Sequence, residues 1–335
     1  MGSGPMADEH APALEMLWEA HDPSEALRTR FGFRDPALAS HWVATTLDER
    51  WGVRVDWCER IVMSGHNAFA WVATPSGRML AKWSVVPERF PLLAALTHLT
   101  DWLDGRRLPV SAPVAALDGR LQVELDGASL GLQHGVDGDL LDTTDHTQVR
   151  AAGAVLARLH DALAEYPDAE QVPGLVSPPT PLAARVTGWL DSDPEHVPAS
   201  ARDVLRRLVA DAAPGPLPTQ IVHGDFRSAN VLCAGSEVAA VIDFEEARLD
   251  HRIDELARSA VLLGTRFRNW GPVSSGVRRS FLAGYQSERR LTPTETSWWD
   301  PLVLWYSLVM RPAGDDPTGW GSAALSHLRE LDQDA

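Results

Sequence analysis

Cysteine is almost absent: Cys58 and Cys233 are the only two in 335 residues. That is too few for a disulfide framework or a thiolate zinc site, so each reads as a small buried apolar side chain in a reducing compartment. Basic charge is also short. Thirty lysines and arginines face forty-six acidic residues, a net charge of −16, which argues against nucleic acid or an anionic membrane as partner. No apolar run reaches the roughly 20 residues of a membrane span, and the opening MGSGPMADEH lacks the apolar core of a secretory signal. A cytoplasmic chain is the expectation. Residues 1–5, Met1 to Pro5, read as a cloning remnant ahead of Met6.

What is present is a hydrophobic content of 44%, over a length that can bury a full core in two lobes. The densest chemical signal runs from Ile221 to Phe244, IVHGDFRSANVLCAGSEVAAVIDF. Asp225 and Asn230 lie five positions apart and Asp243 follows thirteen later. Apolar runs at Val231 to Cys233 and Val238 to Ile242 flank a Gly235-Ser236 turn, which predicts a hairpin with Asn230 and Asp243 at its open end. Such a group suits phosphoryl transfer, where the protein mainly positions an alcohol, a nucleotide and Mg²⁺. Asp225 would accept the alcohol's proton, while the Asn230 amide oxygen and the Asp243 carboxylate are hard donors for Mg²⁺.

His223-Gly224-Asp225 with Asn230, then Ile242-Asp243-Phe244-Glu245, resembles the signature of the aminoglycoside phosphotransferase and choline kinase superfamily. Type II homoserine kinases, methylthioribose kinases and fructosamine kinases share that pattern. Asp250 to Ala257, DHRIDELA, looks like the family's D-x-x-x-D-L-A region with Glu255 inserted before Leu-Ala. The resemblance reaches, more weakly, over roughly residues 50–310. It implies an α+β, protein-kinase-like two-lobed fold, with a small antiparallel-sheet N-lobe and an α-rich C-lobe, and it implies ATP as cofactor with Mg²⁺. It further implies that Asp254 is structural, buried under the catalytic loop and accepting backbone N–H groups, and that His160 is a satisfied core histidine. Arg227 stands where protein kinases carry a lysine that steadies the γ-phosphate.

Three divisions are expected: an N-terminal helical extension over 1–50, a nucleotide-binding N-lobe over 51–136, and a C-lobe over 137–335 with the catalytic loop and acceptor site. Ala11 to Trp51 reads as helical pieces broken at Asp22-Pro23, Gly32 and Asp35-Pro36. Strands follow at Val53 to Val62, Ala68 to Ala73 and Arg78 to Val85, then a helix from Pro91 to Leu103 and strands near Val114, Leu121 to Leu125 and Ser129 to His134. Beyond Gly138 the pattern is helical apart from the hairpin, with helices expected near 149–163, 181–190, 199–212, 252–263, 277–286, 293–310 and 321–331.

On the nucleotide side, Ser64, Gly65 and Asn67 occupy the turn that kinases place over the phosphates. Lys82 lies on a strand with two largely apolar faces, in the position of the kinase third-strand lysine. The helix after it carries no glutamate to pair with that lysine, and Glu88 is the nearest substitute. Gln133, His134 and Val136 resemble the interlobe hinge, whose backbone groups would meet adenine.

The partner implied is a small hydroxylated acceptor, contacted by Glu245, Glu246, Trp270, Trp298 and Trp305. Acids mixed with aromatics suit a neutral or cationic alcohol. An antibiotic such as an aminoglycoside is one acceptor class. A metabolic alcohol of the homoserine or choline kind is the alternative, and a non-catalytic nucleotide-binding pseudokinase a third reading. The chain has no A-P-E segment or long activation loop, which disfavours protein substrates.

Overall fold

The computed structural model describes residues 11–174 and 178–334; the remnant expected at 1–5 lies outside them. The chain divides into two compact units. One holds the residues up to Asp101 and Ser111–Val136, the other Trp102–Val110 and the residues from Asp137 on.

The first unit is built on a sheet whose strands are β1 (Ala13–Met16), β2 (Trp57–Met63), β3 (Asn67–Thr74), β4 (Gly77–Ser84), β5 (Pro113–Val114), β6 (Gln122–Leu125) and β7 (Ala128–His134). Their order is β1-β2-β3-β4-β7-β5, with β6 also paired to β7. All neighbours are antiparallel except β1 and β2. Thr74 pairs with Gly77 across the Pro75-Ser76 turn, so β3 and β4 form the tight hairpin that Pro-Ser-Gly predicts. Helices α1 (Pro23–Arg30) and α2 (Pro36–Trp51) start at Asp22 and Asp35, whose carboxylates accept the Glu25 and Leu38 N–H groups ahead of prolines in the first turn. α3 (Phe90–Gly105) begins in this unit, and its residues from Trp102 on belong to the other.

Two corrections concern the N-terminal residues. The helix expected from Ala11 begins instead as a strand, because the Ala13–Met16 backbone finds partners on Arg60 to Met63 of β2, and pairing of this kind overrides the helix propensity of Ala, Leu, Glu and Met. Nor is the segment an appendage: Met16, Leu27, Phe31, Val43, Leu47 and Trp51 share one buried cluster with Ile61, Met63, Val72 and Trp83.

The second unit is helical: α4 (His146–Ala164), α5 (Leu182–Asp191), α6 (Ala199–Asp211), α7 (Arg252–Leu262), α8 (Ser275–Glu288), α9 (Pro293–Val309) and α10 (Trp320–Asp334). α4 and α8 cross with their backbones nearly touching, through Gly153 and Gly284. A Cβ at either would collide with the Phe281 or Arg150 carbonyl oxygen. Three short strands, β8 (Asp139–Leu140), β9 (Thr219–Val222) and β12 (Arg248–His251), were not visible in the sequence pattern. β10 (Val231–Ala234) and β11 (Glu237–Val241) form the expected hairpin, β8 adds to β10, and β9 pairs antiparallel with β12. The β9–β12 ladder holds together the two ends of the segment that carries the site. No helix among the described residues is long and apolar enough to cross a membrane.

Candidate active site

The chain leaves β9 at Val222 and turns at Gly224, where φ is +85°. Glycine is required there twice over, since a Cβ would also run into the Glu246 carbonyl oxygen. Beneath this turn lies Glu255 of α7, 2% exposed. Its carboxylate accepts the His223 N–H at 3.1 Å, the Gly224 N–H, and the His160 Nε2 at 2.7 Å. Burial pushes the Glu255 carboxyl up, but the hydrogen bonds it accepts from His160 and from the Gly224 N–H outweigh it and hold the group down at about 2.

His160 is fully buried and bridges Glu255 to the Tyr285 hydroxyl, which lies 2.8 Å from Nδ1. Arg289 donates to that hydroxyl at 3.3 Å, so the hydroxyl proton is directed at Nδ1 and the imidazole proton, on Nε2, at Glu255. His223 is oriented in the same manner. Its Nδ1 accepts the Asp225 N–H at 3.2 Å, which leaves Nε2 to donate to the Ile242 carbonyl at 3.0 Å.

Asp225 follows. Its Oδ2 accepts from Arg227 Nε and from Asn230 Nδ2, both at 2.9 Å, while the Arg258 guanidinium lies 3.9 Å from Oδ1. Asn230 Nδ2 also donates to the Asp225 carbonyl at 2.9 Å. With its NH₂ group turned to Asp225, the Asn230 amide directs its oxygen the other way. The Ile242 N–H donates to the Asn230 carbonyl at 3.0 Å, so the open end of the hairpin sets Asn230 beside the start of the Asp243 turn. Asp243 itself is exposed and left-handed, φ +65°, a conformation that Asp tolerates better than most side chains.

One expectation for Asp254, that it accepts N–H groups of the loop, is corrected. Asp254 is buried but accepts no loop N–H; it takes Arg185 Nη1 at 2.9 Å and the Tyr306 hydroxyl at 3.0 and 2.9 Å. The carboxylate beneath the Gly224 turn is Glu255, one position on and one methylene longer. Burial, with the nearby Asp250 charge, raises the Asp254 carboxyl to about 6. Burial also acts to raise Asp250, but the bonds from Arg185 prevail and lower it. Arg248 ties this group to the loop by donating to Asp250 at 3.1 Å and to the Gly224 carbonyl at 3.1 Å. Arg258, which sequence reading passed over, donates to the same carbonyl.

The residues expected to meet the acceptor separate. Trp270 is 43% exposed and its ring lies 5.3 Å under the Arg227 guanidinium, with its carbonyl anchored by Trp320 Nε1 at 2.6 Å. Trp298 and Trp305, by contrast, are each 7% exposed. They belong to the packing of α9, which corrects their assignment to an acceptor surface. Glu245 is half-buried and Glu246 exposed. The field at Asp225 is not the acidic one expected from that pair alone, because two guanidinium groups adjoin the carboxylate.

In the first unit, Ser64 and Gly65 lie in the β2–β3 turn, where the Ser64 N–H donates to the carbonyl of Asn67 at 2.8 Å. Lys82 is half-buried on β4, its Nζ 5.1 Å from the centre of the Phe69 ring. Glu88 is exposed in a short turn before α3. The hinge expectation needs a correction at His134, whose N–H donates to Ala112 and whose carbonyl accepts from Ser111 Oγ, both at 3.0 Å. Gln133 is likewise inside β7, and the Gly135 N–H donates to Arg78 at 2.9 Å. Of the three residues, Val136 alone lies past the sheet.

Residues 61–298 match the sequence model of the phosphotransferase enzyme family. A homoserine kinase of Neisseria meningitidis serogroup B is 28% identical over 235 residues, covering 70% of this chain and 74% of its own. Among solved structures, an amicoumacin kinase in complex with AMP-PNP and Ca²⁺ superposes with a TM-score of 0.56 over 88% of this chain and 93% of its own, at 13% identity. A microcompartment-associated aminopropanol kinase gives 0.54 over 88% and 98%, at 18% identity. At such identities these two structures establish the common protein-kinase-like fold.

Proposed function

The chain belongs to the phosphotransferase enzyme family and is a small-molecule kinase with a hydroxyl acceptor; from that premise we propose that it transfers the γ-phosphoryl group of ATP, with Mg²⁺, in a cytoplasmic setting. The observation that carries this reading is the asymmetry of the Asp225 carboxylate. Oδ2 is held by two donors at 2.9 Å, so Oδ1 is the oxygen that takes the proton of an alcohol as its oxygen attacks phosphorus. Arg227 and Asn230 thus act on the base as orienting groups. Arg227, with its guanidinium over Trp270, also brings positive charge to the side on which the phosphoryl group arrives.

Among the described residues no cluster of three or more His, Cys, Asp or Glu is assembled around a metal position. The donor set nevertheless fits Mg²⁺, which takes one or two protein oxygens and completes its shell with phosphate and water. The Asn230 amide oxygen and the Asp243 carboxylate would hold it. When bound, the ion neutralises phosphate charge and fixes the phosphate chain. Lys82 would pair with phosphate oxygens and the Ser64 to Asn67 turn would cover them.

For the acceptor, we favour a metabolic alcohol over an antibiotic. A curated relative at 28% identity is a homoserine kinase, whereas likeness to the amicoumacin kinase at 13% is one of fold. Trp270, exposed beside the base, is the aromatic surface such an acceptor would meet.

The test is Asp225→Asn. Turnover should fall by about 10² to 10⁴, the range for a lost general base, with Mg·ATP affinity retained. An Asn variant that turns over an identified acceptor at the wild-type rate would remove Asp225 from the mechanism.

A further inference from the structure

The β2–β3 turn is gripped from outside by residues that lie between β1 and β2 in the chain. β1 runs parallel to β2 and continues the pairing through a bond from the Leu17 N–H to the Met63 carbonyl at 2.8 Å. Two residues on, Glu19 lies against the turn, its Oε1 3.3 Å from where a Cβ of Gly65 would stand. Glu19 forms an ion pair at 2.5 Å with Arg30, the last residue of α1, and Arg30 Nη1 donates to the Ser64 carbonyl at 3.3 Å. Both side chains are mostly buried, at 26% and 17% exposure for Arg30 and Glu19. α1 is fixed in turn through Ala26 and Leu27, neither of them exposed.

This grip has a directional consequence. In a trans peptide the C=O and the following N–H point in opposite directions, and no peptide bond among the described residues is cis. A Ser64 carbonyl turned toward Arg30 therefore turns the Gly65 N–H to the opposite side of the loop. A turn that binds phosphate needs that orientation, with N–H groups directed at the anion and carbonyl oxygens away from it. A free three-residue turn samples both peptide orientations. A guanidinium on the carbonyl selects one of them before the nucleotide arrives, which removes part of the ordering cost of binding.

We propose that Arg30, held by Glu19, is a positioning residue for the nucleotide loop, setting the Ser64–Gly65 peptide so that its N–H is presented to the phosphates of ATP. The inference rests on the reading of Ser64 to Asn67 as that loop. It assigns Arg30 no contact with ATP.

The experiment is calorimetric titration of the full chain with Mg·ATP and, separately, with adenosine, for the wild type, Arg30→Gln, Arg30→Lys, Glu19→Gln and Lys82→Ala. Arg30→Gln should weaken Mg·ATP about three- to tenfold, the effect of one hydrogen bond, and leave adenosine unchanged. Glu19→Gln should give a smaller change of the same kind, and Arg30→Lys, which keeps a cationic donor, should recover part of the loss. The adenosine arm reports whether each variant is folded, because general damage to the unit lowers both affinities together. Equal losses for the two ligands, or an Arg30→Gln variant with wild-type Mg·ATP affinity while Lys82→Ala has lost it, would overturn the clamp alone. A wild type that binds Mg·ATP no more tightly than adenosine would overturn the reading of the loop, and the clamp with it.

Discussion

Arg227 Nε and Asn230 Nδ2 both donate to Oδ2 of Asp225, and the Asn230 amide is thereby turned so that its oxygen faces away from that carboxylate. Under the proposed function one side chain would have two duties, orienting the base through nitrogen and holding Mg²⁺ through oxygen. Asn230→Ala should therefore cost both turnover and metal-dependent affinity, whereas Asp243→Ala should act on the metal alone. Titration of ATP with and without Mg²⁺ checks this. Both variants are expected to lose affinity for Mg·ATP while retaining that for metal-free ATP, with Asp243→Ala the more severe, since a carboxylate is the stronger ligand. Equal losses in the two conditions would mean that neither residue binds the metal.

Glu255 lies in the first turns of α7, and through it the helix carries the catalytic turn: one carboxylate fixes two successive N–H groups and the His160 imidazole. The Glu255 carboxyl, at about 2, is lower in the folded chain than the ordinary value of 4.5. The ionised form is thus the one the fold favours. Its contribution to stability is complete above about pH 4.5 and is lost as pH falls toward 2. Asp254, raised to about 6, has the opposite sign: the folded state holds the extra proton between about pH 4 and 6, and stability from this group falls as pH rises through that window. Glu255→Gln should lower the melting temperature at pH 7, because the amide cannot accept all three bonds and leaves buried donors unpaired. The difference from wild type should narrow on acidification from pH 5 to pH 2.5. A difference that is independent of pH would show that the Glu255 charge is not what holds the turn.

At the scale of the molecule, residues 11–51 belong to the first unit's core. Each buried Leu, Val, Phe or Met side chain contributes about 1.5–3 kcal/mol, so Met16, Leu27, Phe31, Val43 and Leu47 together rival the roughly 5–15 kcal/mol that holds a whole domain folded. A chain beginning at Gly52 should lose the cooperative thermal unfolding of the first unit, whose buried cluster it would leave incomplete, and its affinity for ATP. Retention of both would restore the view of this segment as an appendage. The sequence by itself determined the β10–β11 hairpin, the helices α4 to α10 to within a few residues, and the gathering of Asn230 with the start of the Asp243 turn, because turn residues and apolar period act over a few positions of chain. Tertiary structure alone decided that Ala13–Met16 is a strand, that Trp298 and Trp305 are core while Trp270 is exposed, that the His134 backbone is already bonded, and that Glu255, not Asp254, supports the catalytic turn. Each of these depends on a partner distant in sequence, such as Arg60 for Ala13 or Gly224 for Glu255, and a local pattern does not record which of two adjacent carboxylates on a helix will face a loop thirty residues away.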